Sequence, residues 1–304
     1  MTSPRSTRPI VARIGLMSDT HMPERCLALP ETLAQVFADV DLILHAGDVG
    51  ELWVLDQISQ MAPVIAVHGN DETADAQREL PYQQLVTVAG LRILLWHSHF
   101  PDRVDEMNSR LGDEMPPKLA RSVDRARRAG ANVVVFGHWH IPMVYEQDGI
   151  TVINPGAIAS GNAIVRQLHQ TVARLDVFAD GAFAITHIDL ANPNAPFAPN
   201  IDFAAGFRTA LAQFAASILT PELEAALPQL RNYLYQHVSP EERIKLIGVL
   251  NRIAHRCWSG ELDVITPGLW LAEVQAAEEI SENVKGLWEQ KLRETLGKMR
   301  SHDR

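Results

Sequence analysis

The stretch Gly137-His138-Trp139-His140 follows the apolar run 133–136, whose β-branched residues predict a strand. Far upstream, Asp19 and His21 follow the apolar run 10–17 in the same way. Residues i and i+2 of an extended segment face the same side, roughly 7 Å apart at Cα, so each pair can reach one metal site. Imidazole and carboxylate groups that recur at strand ends predict a dinuclear metal centre. Two clustered ions indicate hydrolysis, most often at phosphorus.

Three further candidate ligands lie between these two pairs, each at the end of an apolar run: Asp48, Asn70 and His97. Asp48 is the candidate bridging ligand, because a carboxylate can bind two cations through its two oxygens and an imidazole cannot. The Asn70 amide oxygen is a neutral ligand, and its NH2 group can donate to a phosphoryl oxygen. Open α/β sheets place their sites at the carboxyl ends of strands, so we expect these side chains to meet.

The composition limits the classes of partner and the cell compartment. The 304-residue chain has a formal net charge of −10, and residues 1–200 hold 23 acidic and 15 basic side chains. Nucleic-acid binders carry an excess of basic side chains, whereas these residues carry an excess of acidic ones. We therefore expect a small phosphate-ester substrate instead of a nucleic acid. No apolar stretch is long enough to cross a membrane. Two cysteines, Cys26 and Cys257, indicate no disulfide framework and favour a cytoplasmic location.

The apolar pattern divides the chain into four parts. Residues 1–9 are polar and predict a disordered tail. Over 10–190, strand-like runs alternate first with helical stretches and later with hairpin turns, which predicts an α/β layered fold that can include two packed sheets. Residues 191–200 are rich in Asn and Pro and predict a linker. Over 201–304 the apolar period becomes helical, which predicts an appended all-α region of unknown role.

Several positions define the helical prediction in more detail. Pro228 lies within a leucine stripe and is expected to kink or divide that helix. Ser239-Pro240-Glu241-Glu242 is a capping box that opens a second helix, and Thr266-Pro267 open one long last helix. The first stripe of the region comprises Phe203, Phe207, Leu211, Phe214 and Ile218. These stripes must bury their apolar faces, either against one another or in a homo-oligomer formed through the C-terminal helices.

The order of these motifs resembles that of the calcineurin-like metallophosphoesterases. The match is closest to the small bacterial and archaeal branch of YfcE-like or MJ0936-like phosphodiesterases. It rests on Ser18-Asp19-Thr20-His21, His45-Ala46-Gly47-Asp48-Val49 and Ile153-Asn154-Pro155-Gly156, together with the ligand candidates above, and it covers about residues 10–190. The resemblance implies an αββα sandwich with two metal ions at its rim.

The resemblance also implies a ligand set and a reaction. Asp19, His21 and His140 would hold the first ion, Asn70, His97 and His138 would hold the second, and Asp48 would bridge them. Both ions would be divalent, with manganese favoured because relatives are commonly active with it, and Fe, Ni, Co or Zn as alternatives. The implied reaction is hydrolysis of a phosphodiester by attack of a metal-bridging hydroxide, with a phosphomonoester as the alternative substrate.

The leaving-group acid is a point on which the chain departs from larger relatives. Many of those relatives carry His directly after the Asn, whereas this chain has Asp71 at that position. Asp71 and His99 are therefore two candidate proton donors. Asn70 is the candidate for neutralising charge on the phosphoryl oxygens.

A non-catalytic function is the second hypothesis. The retromer subunit with this fold binds partners through its surface and has a degraded metal site. This chain could likewise be a metal-binding scaffold or a partner-docking protein. The completeness of the ligand set discriminates between the two, and every ligand position here holds a competent residue.

Overall fold

The computed structural model describes residues 8–302, with side chains as far as residue 298. The strands are β1 (Ile10–Met17), β2 (Leu42–His45), β3 (Val64–Ala66), β4 (Gln83–Val88), β5 (Leu91–Trp96), β6 (Val133–Phe136), β7 (Met143–Gln147), β8 (Ile150–Asn154), β9 (Val165–Gln167), β10 (Thr171–Phe178), β11 (Phe183–Asp189) and β12 (Ala215–Ser217). The helices are α1 (Thr32–Val36), α2 (Trp53–Ser59), α3 (Ala74–Glu79), α4 (Arg103–Ser109), α5 (Met115–Ala129), α6 (Phe207–Leu211), α7 (Pro221–His237), α8 (Pro240–Trp258), α9 (Pro267–Ala276) and α10 (Glu282–His302). Over 8–302, none of these helices has the length and apolarity that a bilayer crossing needs.

The predicted tail at 1–9 lies outside the described residues except for its last two. The backbone oxygen of Pro9 accepts a hydrogen bond from the Ala179 N–H at 3.0 Å. The Arg8 side chain forms an ion pair with Asp180 at 3.5 Å. Arg8 and Pro9 therefore both contact the turn between β10 and β11.

Two five-stranded mixed sheets form the centre of the fold. Their strand orders are β11-β10-β1-β2-β3 and β4-β5-β6-β8-β7, and a third, two-stranded sheet pairs β9 with β12. Strands β1, β2 and β3 run parallel in the first sheet, and β5, β6 and β8 run parallel in the second. Antiparallel strands flank each parallel set. The carboxyl ends of each parallel set therefore lie at one edge of its sheet.

Alternating side chains along the strands create the layers. In β5, Ile93 and Leu95 join an apolar cluster that contains residues of both large sheets, and Leu94 and Trp96 pack on the opposite face with residues of α5. The outer face of the first sheet packs with residues of α1 and α2 in the same manner. The order of layers is helix, sheet, sheet, helix. The predicted αββα sandwich with an appended helical region is confirmed.

The contacts divide the chain into two compact units at a different place from the predicted linker. The first unit comprises the residues up to Gly161 together with Gln167–Ala215, and the helical unit comprises Asn162–Arg166 and the residues from Ala216 onward. The Phe197 N–H donates to the His187 oxygen at 2.8 Å, which ties the predicted linker at 191–200 to β11.

Four of the five residues of the first predicted helical stripe belong to the first unit, and the fifth, Ile218, belongs to the helical unit. Only Phe207–Leu211 forms a helix there, and Phe203, Phe207 and Phe214 pack with the cluster outside the second sheet. The Phe207 ring meets Trp139 edge to face at a centroid distance of 5.3 Å. Phe203, Phe207 and Phe214 are buried outside the sheet, whereas Ile218 is buried in the core of the later helices. The boundary between the two units accordingly falls after Ala215.

The helical unit consists of α7–α10 packed around a core of its own. The tilted rings of Trp270 and Trp288 pack together in that core at a centroid distance of 4.8 Å, so they are structural residues. Ser239 caps α8 by accepting a hydrogen bond from the Glu242 N–H, as the capping box predicts. Helix α7 continues across Pro228 without division. The last predicted helix is in fact two helices, because the chain leaves helical geometry between α9 and α10.

Candidate metal centre

Five loops carry the predicted ligands, and each follows the carboxyl end of a parallel strand. Asp19 and His21 follow β1, Asp48 follows β2, Asn70 follows β3, His97 follows β5, and His138 and His140 follow β6. The loops come from both large sheets, so the packing of one sheet on the other brings the ligands together. This is the edge at which open α/β folds place their sites.

The candidate ligand atoms form two groups. In one, atoms of Asp19, His21 and His140 lie within 4.8 Å of one another, and in the other the same holds for Asp48, His97 and His138. The division of His138 and His140 between the two groups is the one that the resemblance implies. All of these side chains are buried except that of His138, which is half-buried.

Asp48 lies between the two groups. Its Oδ2 is 3.0 Å from the His97 Nε2 and 3.6 Å from the His21 Nε2. Its Oδ1 accepts a hydrogen bond from the Asp71 N–H at 2.9 Å. One carboxylate therefore faces an imidazole of each group, which is the position that a bridging ligand requires.

Several buried polar atoms at this edge are suited to bind a cation. The His97 Nδ1 donates to the Ala46 oxygen at 2.7 Å, which turns the buried Nε2 toward the Asp48 carboxylate, 3.0 Å away. The His140 Nδ1 and the Asn70 Oδ1 are also buried and lack a described hydrogen-bond partner. Such atoms are costly to bury unless they bind something. A donor set of carboxylate, amide and imidazole groups without thiolate fits divalent cations.

The charges of the buried groups also favour cations. Burial by itself raises the pKa of the Asp19 carboxyl, but the charge and hydrogen bond of His140 outweigh it and hold that pKa well below its usual range. Burial lowers the pKa of His21 to about 4, so this ring is neutral at pH 7. Burial also opposes a charge on His97, but Asp48 prevails and raises the pKa of His97 to about 10. Burial likewise opposes a charge on Asp48, but His97 and His21 hold the pKa of that carboxyl well below its usual range. Asp19 and Asp48 are therefore both anionic at neutral pH.

Metal binding should release a proton from His97. With a pKa of about 10 the ring carries a proton at pH 7, and a cation must displace that proton to bind Nε2. The dissociation constant for Mn²⁺ should therefore fall about tenfold for each pH unit between 7 and 9. Calorimetric titration in two buffers of different ionisation enthalpy measures the released proton. Equal heats in both buffers, with an affinity independent of pH, would contradict the prediction.

The backbone is strained at the candidate ligands. Asp19, His21, Asp48, His138 and His140 all have positive φ, between 44° and 75°. Each left-handed non-glycine residue costs on the order of 1–3 kcal/mol, and such residues cluster at functional sites where surrounding contacts hold them. Five of them within one set of loops therefore mark this edge as a functional site independently of the side-chain chemistry.

Two glycines allow the loops to approach one another. A Cβ on Gly69 would lie 2.0 Å from the Asp48 Oδ1. A Cβ on Gly137 would lie 2.5 Å from the Ala46 oxygen and 2.8 Å from the His97 Nδ1. A side chain at either position would displace a candidate ligand, which explains why glycine precedes Asn70 and His138.

The two candidate proton donors occupy unfavourable surroundings for that role. The Asp71 carboxylate accepts hydrogen bonds on both oxygens, from Asn70 at 2.8 Å and from Arg25 at 2.7 Å, whereas an acid needs one oxygen free to carry a proton. Burial lowers the pKa of His99 to about 3, so its ring is uncharged near pH 7. The His99 ring packs against Tyr82 at a centroid distance of 5.0 Å. The geometry supports neither residue as the leaving-group acid.

Sequence reasoning missed three charged residues of the site. Glu106, on α4, accepts a hydrogen bond from the His138 Nε2 at 3.0 Å, and that bond holds the pKa of the Glu106 carboxyl well below its usual range despite burial. Glu72 accepts hydrogen bonds from the backbone N–H groups of Val49, Gly50 and Gly69, and so fastens the loop after β2 to the loop after β3. Arg25 contacts His21 and Asp71. None of the three stands at a strand end, so the pattern that identified the ligands could not identify them.

Comparison with known proteins places the chain in a family. A family model described as the calcineurin-like phosphoesterase superfamily domain matches residues 13–180. A probable metallophosphoesterase of Methanothermobacter thermautotrophicus is 34% identical over 145 residues, which is 47% of this chain and 76% of that protein. A phosphodiesterase of Methanocaldococcus jannaschii is 26% identical over 161 residues, which is 47% of this chain and 82% of that protein.

Solved structures provide matches of similar extent. Vacuolar protein sorting 29 from Cryptosporidium parvum covers 62% of this chain and 100% of its own length, with 17% identity and a TM-score of 0.46. An archaeal phosphodiesterase covers 58% of this chain and 99% of its own length, with 24% identity and a TM-score of 0.40. Because the family model spans more than half of the sequence, the chain belongs to the calcineurin-like phosphoesterase superfamily, a family of metal-dependent phosphoesterases.

Proposed function

We propose that this protein hydrolyses a phosphodiester with two divalent metal ions held by the seven candidate ligands. The observation that carries the proposal is the position of Asp48, whose Oδ2 faces the His97 ring of one group and the His21 ring of the other. The named activity of the relative from M. jannaschii supports a diester over a monoester. The completeness of the ligand set favours an enzyme over a scaffold.

The residues of the chain prepare the site for this reaction. When bound, divalent ions supply Lewis-acid activation of water and neutralise charge on the phosphoryl group. Asp48 holds the two ligand groups at one separation, and the Ala46 oxygen fixes the tautomer of His97 with Nε2 toward the site. One N–H of the Asn70 amide donates to Asp71, which leaves the buried Oδ1 as the ligand atom and the other N–H for a phosphoryl oxygen.

The metal, the substrate size and the compartment are further parts of the proposal. Manganese suits a donor set of carboxylate, amide and imidazole groups, although Fe, Ni, Co and Zn suit it as well. The acidic balance of residues 1–200 favours a small phosphate ester over a nucleic acid. Cys26 and Cys257 are unpaired, which supports a cytoplasmic location. The helices α7–α10 are a candidate surface for homo-oligomer formation.

Reconstitution tests the proposal. Metal-depleted protein would be loaded separately with Mn²⁺, Fe²⁺, Ni²⁺ and Zn²⁺, and the bound metal would be counted by elemental analysis. Turnover would then be measured on bis-p-nitrophenyl phosphate, a diester, and on p-nitrophenyl phosphate, a monoester. We expect two ions per chain and faster turnover of the diester. Two bound ions without turnover of either ester would instead support the scaffold.

A further inference from the structure

Arg25 places a fixed cation beside the first ligand group. It lies four residues after His21, and its backbone N–H donates to the His21 oxygen at 2.8 Å. Its Nη1 donates to the Gly161 oxygen at 2.9 Å, and its Nη2 donates to the Asp71 Oδ2 at 2.7 Å. Only 13% of the Arg25 side chain is exposed. A largely buried side chain that donates hydrogen bonds from both Nη atoms is held in one orientation. A residue that binds a ligand needs such a fixed orientation.

The contact with His21 does not compete with metal binding. The Arg25 Nη1 lies 3.2 Å from the His21 Nδ1 and 3.3 Å from the His21 Nε2. An atom at nearly equal distances from both ring nitrogens lies over the ring face, because in the ring plane it would collide with the carbon between them. The lone pair that binds a metal points within the ring plane. His21 can therefore hold an ion while Arg25 stays above its face.

Asp71 links this cation to the second ligand group. Its Oδ2 accepts from Arg25, its Oδ1 accepts from Asn70, and its backbone N–H donates to Asp48. Carboxylate oxygens of Asp71 and Asp48 and a nitrogen of His21 lie within 4.8 Å of one another. Asp71 is also the exposed member of that set, with 36% of its side chain accessible. Within this set, solvent therefore reaches Asp71 and not the buried His21 and Asp48.

We propose that Arg25 binds a non-bridging oxygen of the phosphoryl group and that Asp71 is a positioning residue that holds Arg25 and Asn70. This assignment rests on the proposed phosphoesterase function and replaces the expectation that Asp71 is the proton donor. A guanidinium carries five N–H donors. Those of Arg25 contact the Gly161 oxygen, Asp71 and the His21 ring, which leaves the Nε donor and one Nη2 donor without a partner among the described residues. Its planar fork matches the oxygens of a phosphate, and hydrogen bonds to charged oxygens are the strong ones.

The test measures phosphate binding separately from activity. Full-length protein loaded with Mn²⁺ would be titrated calorimetrically with inorganic phosphate, for the parent chain and for Arg25→Gln, Arg25→Lys and Asp71→Asn. Arg78→Gln is the matched control, since Arg78 pairs with Asp75 on the exposed face of α3. We expect Arg25→Gln to weaken phosphate binding about 10- to 100-fold and Arg25→Lys to weaken it less. Manganese content and the unfolding temperature should stay near the parent values in both Arg25 variants.

The coupling between the two residues provides a second readout. In Asp71→Asn the amide oxygen can still accept the hydrogen bond from Asn70, so this variant removes the contact with Arg25. If Asp71 acts on phosphate through Arg25, the double variant Arg25→Gln/Asp71→Asn should bind phosphate no more weakly than Arg25→Gln alone. Unchanged phosphate affinity in Arg25→Gln would overturn the assignment, as would a loss of manganese and stability that Arg25→Lys shares. Phosphate binding that depends on Arg25, in a protein that hydrolyses no ester, would instead reject the proposed function and retain the binding site.

Discussion

Replacing Asp48 by Asn should reduce turnover of bis-p-nitrophenyl phosphate by about a thousandfold or more, an effect of the size seen when a main electrostatic group of an active site is lost. The Asn oxygen can still accept the hydrogen bond that the Asp71 N–H donates at 2.9 Å. The variant loses the negative charge and the second anionic oxygen, which lies 3.0 Å from the His97 Nε2. The substitution therefore removes bridging and largely preserves the loop.

A matched control separates this effect from a general change of charge. Asp105→Asn removes a carboxylate from the exposed face of α4, in the same unit, and should leave turnover near the parent value. Elemental analysis of Asp48→Asn should show fewer than two bound ions per chain. Turnover of Asp48→Asn within a fewfold of the parent would exclude Asp48 as a bridging ligand and reject the two-ion proposal.

Truncation should distinguish the two possible ends of the first unit. A chain that ends at residue 215 should fold and bind metal, whereas a chain that ends at residue 190 should not fold. The shorter chain loses Phe203, Phe207 and Phe214, whose burial outside the second sheet is worth roughly 1.5–3 kcal/mol each. Together with the other apolar residues of the segment this approaches the whole stability of a domain, about 5–15 kcal/mol.

The same truncation should affect the metal centre. Trp139 stands between the two histidines at 138 and 140, and its ring packs on Phe207 and Phe136. Removing Phe207 exposes one side of the Trp139 ring. The loop that carries the candidate ligands His138 and His140 should then become less rigid. Thermal unfolding followed by circular dichroism, together with manganese content, measures the difference between the two chains. Equal unfolding temperatures would show that the segment 191–215 is dispensable, and aggregation of the 215-residue chain would reject the boundary at Ala215.

Much of the site was open to prediction because its signals are local. Each candidate ligand directly follows an apolar run, and side chains at the carboxyl ends of parallel strands share one edge of a sheet. The separation of His138 from His140 follows from the resemblance, and the structure assigns the two rings to different groups. The capping box at Ser239 was readable for the same reason, since a cap depends on neighbours within one turn.

Other features depend on contacts between segments distant in sequence. The stripe that begins at Phe203 has a helical period, yet its phenylalanines are buried against the second sheet and Trp139, and only Ile218 is buried by the following helices. Asp71 looked like an acid because it replaces a His, but Arg25, 46 residues away, holds its carboxylate. In the sequence, Glu106 is one of many acidic residues. Only the packing of α4 places it against His138.

The sequence alone predicted the layered fold and indicated the candidate ligands and the class of chemistry, because strand periodicity and ligand type are properties of short segments. Tertiary structure alone decided where the first unit ends, which charged residues support the ligands, and that Asp71 pairs with a cation. The physical reason is that burial and ion pairing depend on which surfaces meet, and one segment of chain does not specify the surface that will cover it. Both kinds of feature occur in Gly137-His138-Trp139-His140. The sequence identifies its two imidazoles as candidate ligands, whereas the role of the tryptophan between them is visible only in its contact with Phe207.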